Sequence, residues 1–179
     1  MKVILALITL LPFAGFLFNG LGRNIWSKKT IATNGTMYIF ASFVFSLIAF
    51  SNVQEQGAIT VHFFDFINTS TIKIPFDFRV DALSSLFLLV ITGVGTLIHL
   101  YSSAYMHEET APHYARYFAY LNLFIFSMLL LVLGDNYVIM FIGWEGVGLC
   151  SYLLIGYWFS NTTYNNAAKK AFILSLIHI

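Results

Sequence analysis

The chain has 179 residues, 59% of them hydrophobic and 9% charged, with a formal net charge of +1. A water-soluble domain carries charge on roughly a quarter of its residues, so this composition excludes an ordinary soluble fold. The near-zero net charge and the lack of a basic cluster interleaved with aromatics exclude a nucleic-acid surface, and no nucleic acid is expected as a partner. The partner that this composition demands is the lipid bilayer.

In chain order, the apolar runs have the length of membrane spans, which need about 20 residues each. Residues 3–19 form a first run, followed by a polar connection with Arg23, Lys28 and Lys29. No small-residue cleavage site follows it, so it reads as a retained helix and not as a signal peptide. Residues 31–50 form a second span. The pattern then changes to two short β-rich pieces between residues 58 and 76, separated by Asn68-Thr69-Ser70 and too short to cross a bilayer, which predicts an extramembrane hairpin. Further spans are predicted over 82–105, opened by Asp81, then 117–133 and 137–159. Gly134-Asp135-Asn136 leaves room only for a tight turn between the last two. A sixth apolar run, 167–179, is too short to cross at ~1.5 Å per residue and reads as a helix cut off by the end of the chain.

The expected fold is therefore an all-α integral membrane protein, a single membrane domain of about five transmembrane helices plus a truncated sixth. A short extramembrane hairpin joins helices two and three. Basic loop residues are retained on the cytoplasmic side. Placing the amino terminus outside puts Arg23, Lys28, Lys29, Arg116, Lys169 and Lys170 inside and leaves the hairpin outside.

Glu145 stands out chemically, because it lies about eight residues from either end of its predicted helix. A carboxylate there costs about 2.5 to 3.5 kcal/mol to insert and must face protein, water or a cation. Burial raises a carboxyl pKa and a nearby lysine lowers it, so a site balanced between the two can change protonation when the partner moves. That is what a proton relay requires; the alternative is a buried hydrogen bond that glues helices. Gly143, Gly146 and Gly148 would let another helix or a file of water come close.

Lys170 is either a partner for Glu145 or, like Lys169, a cytoplasmic anchor. His99, inside the third span, is a relay member or a hydrogen-bonded structural residue. His107, Glu108, Glu109 and His113 show no regular metal spacing and read as a solvated loop. Cys150 has no thiol to pair with and reads as a small buried residue. Nothing in the chain has the spacing of a phosphate loop, haem or iron–sulfur site, so no cofactor and no metal are expected in it.

The stretch Gly143-Trp144-Glu145-Gly146-Val147-Gly148-Leu149-Cys150-Ser151-Tyr152-Leu153-Leu154-Ile155-Gly156 resembles the fifth-helix signature of the large antiporter-like subunit of respiratory complex I, NADH:quinone oxidoreductase. Supporting stretches are Phe78-Arg79-Val80-Asp81-Ala82-Leu83-Ser84, Val94-Gly95-Thr96-Leu97-Ile98-His99-Leu100-Tyr101 and Arg116-Tyr117-Phe118-Ala119-Tyr120-Leu121-Asn122-Leu123-Phe124.

The resemblance implies proton translocation through water-filled half-channels, driven by electron transfer elsewhere in the complex. It places NADH, FMN, iron–sulfur clusters and quinone in partner subunits. It makes Glu145 the fifth-helix glutamate, paired with a lysine on a seventh helix, and matches Lys170 to a lysine in an Ala-Ala-Met-Lys-Ala-Phe stretch. Other complex I membrane subunits are the expected partners, in a bacterial inner membrane or alternatively a mitochondrial one.

Full-length members are about three times as long, so this chain reads as their N-terminal fragment, inactive by itself. The family pattern continues into Asn-Arg-Ile-Gly-Asp, whereas residues 174–179 end in Ser175-Leu176-Ile177-His178-Ile179, a tail expected not to be native. The same helix signature occurs in the large subunit of multisubunit cation/proton antiporters, and an inert truncated scaffold is the third reading.

Overall fold

The computed structural model describes residues 1–177. Its elements are α1 (Lys2–Leu21), α2 (Lys28–Gln56), β1 (Ile59–Asn68), β2 (Lys73–Val80), α3 (Ala82–Tyr105), α4 (Ala111–Leu133), α5 (Tyr137–Ile155) and α6 (Thr162–Ile177). The first five helices are long and apolar enough to cross a membrane. The connections are short except between α2 and α3, where the hairpin intervenes, and α1 packs on α2 and α4, α2 on α3, α4 on α5, and α5 on α6.

Caps set several boundaries away from the apolar runs. Ser27 Oγ accepts from the Thr30 N–H and starts α2 three residues before its apolar stretch. That helix runs on through Gln54-Glu55-Gln56 to Gly57, whose φ of +80° suits glycine. At the start of α4, Pro112 occupies the first turn, where its missing N–H costs nothing, and residues 111–116 become helix instead of loop. The fifth span is shorter than 137–159: it stops at Ile155, and Gly156 caps it. Asn161 Oδ1 accepts from the Thr163 N–H, which starts α6 at Thr162, five residues before the apolar run. His178 and Ile179, the end of the expected tail, lie outside the described residues.

α3 begins with a reciprocal capping box. Asp81 Oδ1 accepts from the Ser84 N–H at 2.8 Å, and Ser84 Oγ accepts from the Asp81 N–H at 2.8 Å. Along α3 the buried residues are Ser85, Leu88, Thr92, Gly95, His99 and Ser102, a stripe of period three and four that is mostly small or polar. Leu83, Leu86, Val90, Val94 and Leu97 face outward. Polarity inward and apolarity outward is the arrangement a bilayer demands, because helix contacts there come from close packing and not from exclusion of water. The inward hydroxyls bond to carbonyls, Thr92 Oγ1 to Leu88 O at 2.6 Å and Ser42 Oγ across to Ile8 O of α1 at 2.7 Å.

The hairpin is antiparallel and longer than its sequence suggested. Asp77 and Arg79, beyond the predicted pieces, lie in β2 opposite His62 and Thr60. The register shifts beside Asp65 and Pro75 accommodate a proline within the strand. Its aromatic face covers one end of the bundle: Phe78 and Val80 are buried with Leu5, Val53, Leu88 and Leu133, and Phe63 stacks edge-on with Phe76 and Phe78. Asn136, in the tight α4–α5 turn, ties the hairpin to the helices. Its Oδ1 accepts from the N–H groups of Val138 and Ile139, while its Nδ2 donates to Pro75 O at 2.8 Å.

Replacing Asn136 with Ala removes the cap and the tether together and is expected to cost about 1 to 2 kcal/mol in thermal or denaturant unfolding of the protein in mild detergent. A change within error would show that the hairpin holds without it. The Asp81 carboxyl lies below its ordinary value of 3.8, held there first by the Ser84 N–H. A depressed carboxylate stabilises the fold above its unfolded pKa, and that contribution is lost as pH falls from 3.8 through the lower folded value. Asp81→Asn, which caps without titrating, should therefore flatten the acid limb of the Tm-against-pH curve.

Candidate functional site

α5 presents two faces. Ile139, Gly143, Gly146 and Cys150, spaced by four, three and four residues, turn toward α4. There a Cβ on Gly143 would fall 2.7 Å from Leu131 Cα, and one on Gly146 would fall 2.9 Å from Ser127 Cβ. Backbone meets backbone at Gly143, so the glycine is what lets α4 and α5 come this close. On the other face Gly148 lies against Ser175, the Tyr152 ring is 5.5 Å from that of Phe172, and Gly156 lies against Ala168, all on α6.

Helical spacing places Glu145 on this second stripe, one turn before Gly148 and turned away from α4. It is partly buried, and no ion pair among the described residues includes it. The antiparallel packing sets Ala168 beside Gly156 and Ser175 beside Gly148.

The structure does not bring Lys170 to Glu145. Ala168, Phe172 and Ser175 face α5, which puts Lys170 on the opposite side of α6, where it is exposed, as is Lys169. In the same register Lys170 is level with Leu154, a helical rise of about 13 Å from Glu145.

His99 sits elsewhere, fully buried among α1–α4. Its Nδ1 is 2.7 Å from Gly95 O and its Nε2 is 3.3 Å from Asn122 Nδ2. Since a carbonyl only accepts and an amide N–H₂ only donates, the ring is a neutral imidazole carrying its proton on Nδ1. Asn122 Nδ2 also donates to Phe118 O at 2.8 Å. Asn19 of α1 is fully buried close by: a Cβ on Gly35 would lie 2.9 Å from Asn19 Nδ2 and 3.2 Å from Asn122 Nδ2. The sequence signal for Asn19 and Asn122 is a polar residue within an apolar run.

His107 and Glu108 are exposed in the loop before α4, as is His113 in the first turn of that helix, and surface contacts join this segment to its neighbours. Lys28 Nζ donates to His107 O at 3.0 Å, Trp158 Nε1 donates to Glu109 Oε1 at 2.8 Å, and His113 Nδ1 lies 3.6 Å from Glu109 Oε2. Among the described residues no group of three or more His, Cys, Asp or Glu has metal-binding geometry. Cys150 is a free, buried thiol.

Residues 66–118 match the family described as NADH-ubiquinone oxidoreductase (complex I), chain 5 N-terminus, and residues 134–178 match the one described as NADH:quinone oxidoreductase/Mrp antiporter, TM. NADH-quinone oxidoreductase subunit L of Pseudomonas aeruginosa is 44% identical over 97% of this chain and 29% of its own length. The Escherichia coli subunit L is 41% identical over 97% and 28%, and NADH-ubiquinone oxidoreductase chain 5 of Phytophthora infestans 39% over 98% and 26%. The chain thus spans less than a third of the length of these relatives.

A solved structure of the membrane-bound sulfane sulfur reductase, an archaeal respiratory membrane complex, superposes with a TM-score of 0.79 at 19% identity. It covers 96% of this chain and 34% of that one, and it shows a shared fold. The glycine-flanked Glu145 helix, the capped hairpin and these alignments agree: the chain belongs to the family of antiporter-like membrane subunits of NADH:quinone oxidoreductase and corresponds to the amino-terminal part of subunit L and chain 5.

Proposed function

We propose that the protein translocates protons as a membrane subunit of NADH:quinone oxidoreductase, coupling electron transfer in partner subunits to proton movement through its own helices. The observation that carries this reading is Glu145, mid-way along α5 and on the face turned away from α4. A carboxylate at that depth needs water or a cation, and one whose partner moves can take up and release a proton. Lys170, exposed on the far side of α6, suits a cytoplasmic anchor better than that partner. His99, saturated by Gly95 and Asn122, suits a structural role.

The chain on this reading holds no redox centre. NADH, FMN, iron–sulfur clusters and quinone belong to other subunits. Its partners are the other membrane subunits of the complex. The relatives include bacterial subunits L and a chain 5 of Phytophthora infestans, which supports a bacterial inner membrane with a mitochondrial one as the alternative.

A second reading, the large subunit of a multisubunit cation/proton antiporter, is favoured by one observation: the family matched over residues 134–178 includes Mrp antiporters. It keeps Glu145 as the proton carrier and exchanges the redox drive for a cation gradient.

Glu145→Gln in the complete subunit within its complex, reconstituted in vesicles, should slow proton translocation by about a hundredfold or more, the worth of a proton-transferring group. NADH:quinone electron transfer should partly survive. An unchanged ratio of protons moved to electrons transferred would remove Glu145 from the path, and sodium-dependent proton exchange without NADH would select the second reading.

A further inference from the structure

We propose that a cavity at the cytoplasmic ends of α4, α5 and α6 binds the phosphate group of an anionic phospholipid through Arg116 and Tyr157. The cavity has a volume of about 170 Å³ and its lining includes Arg116, Tyr120, Tyr152, Gly156, Tyr157 and Asn165. That is room for a phosphodiester with donors on several sides.

The Arg116 guanidinium is held in place without a carboxylate. Its Cζ lies 5.1 Å from the centre of the Tyr157 ring and 5.2 Å from that of Phe159, and one terminal nitrogen donates to Tyr157 O at 3.4 Å. Stacking of this kind orients the guanidinium plane while leaving most of its N–H groups uncommitted, and a planar fork of donors matches a phosphate. No ion pair among the described residues includes Arg116, and its Nε is buried without an acceptor.

Tyr157 supplies the second, independent observation. The residue is 4% exposed, and its O–H has no acceptor. Burial first, and then the charge of Glu109, push the phenol up to about 12 against the opposing pull of the neighbouring Arg116 guanidinium, so it remains a donor at neutral pH. A buried donor beside an orphaned guanidinium nitrogen calls for an acceptor of negative charge.

The surroundings point to a lipid as its source. Arg116 and Tyr157 lie at the end of the bundle that also carries Lys28, Lys29, Lys169 and Lys170, the side that the basic residues assign to the cytoplasm, where anionic lipids attract such charge. The Trp158 and Tyr164 rings lie beside it, tilted to each other with centroids 6.2 Å apart, and aromatic side chains of this kind are enriched at the headgroup level. The Glu109 carboxylate is engaged by Trp158 and His113.

The test uses the complete protein in nanodiscs. Phosphatidylglycerol should raise its Tm by about 3 °C or more over phosphatidylcholine. Arg116→Gln and Tyr157→Phe, the latter removing only a hydroxyl, should each reduce that difference by at least half. Native mass spectrometry should show fewer phosphatidylglycerol molecules retained by either variant, a readout that stands even if one of them is less stable. Equal protection of wild type and both variants would overturn the site. So would equal protection by inorganic phosphate in phosphatidylcholine discs, which would assign the cavity to a solution anion. A density map of the assembled complex with a protein side chain filling the cavity would overturn it as well.

Discussion

The bilayer reverses the usual rule of burial, and the rest of this structure depends on that reversal. Lipid satisfies no N–H or C=O, so each span hides its polar groups against other helices. α3 shows the result most plainly, with Ser85, Thr92, His99 and Ser102 inward and leucines and valines outward. The inward hydroxyls close onto backbone carbonyls, and the small residues among them let helices approach. The same constraint makes a mid-helix carboxylate expensive, which is why Glu145 commands attention in an otherwise apolar helix.

Close approach and chemistry are divided between the two faces of α5. Gly143 and Gly146 meet α4 backbone and side chain at short range, while Glu145 shares the opposite stripe with Gly148, Tyr152 and Gly156. The arrangement anchors the helix on the core formed by α1–α4 and leaves the carboxylate on the side where α6 packs. The helix thus has rigid support on one face and an acid on the other. The hairpin contributes from outside the spans: through Phe78, Val80 and the Asn136 tether it closes the opposite end of the bundle from Arg116.

His99 and Arg116 illustrate two ways of settling a polar group in such a chain. The imidazole has a backbone carbonyl on one nitrogen and an amide on the other, and it is neutral and enclosed. The guanidinium is caged by aromatic rings and keeps donors to spare. One polar group is complete within the protein, and the other still has donors to offer outside it.

The sequence by itself determined the number and order of the spans, the hairpin between the second and third, and the prominence of Glu145. These follow from hydropathy, turn residues and the cost of charge in lipid, all of which are local. Exact ends escaped it where a cap or a proline outweighed hydropathy, as at Ser27, Pro112 and Gly156. Only the tertiary structure decided which face each polar residue takes and what it meets there: Lys170 on the far side of α6, His99 closed by Asn122, Arg116 between two rings. Those outcomes depend on the rotation and register of packed helices, which are set by contacts between residues far apart in the chain and leave no mark at any single position.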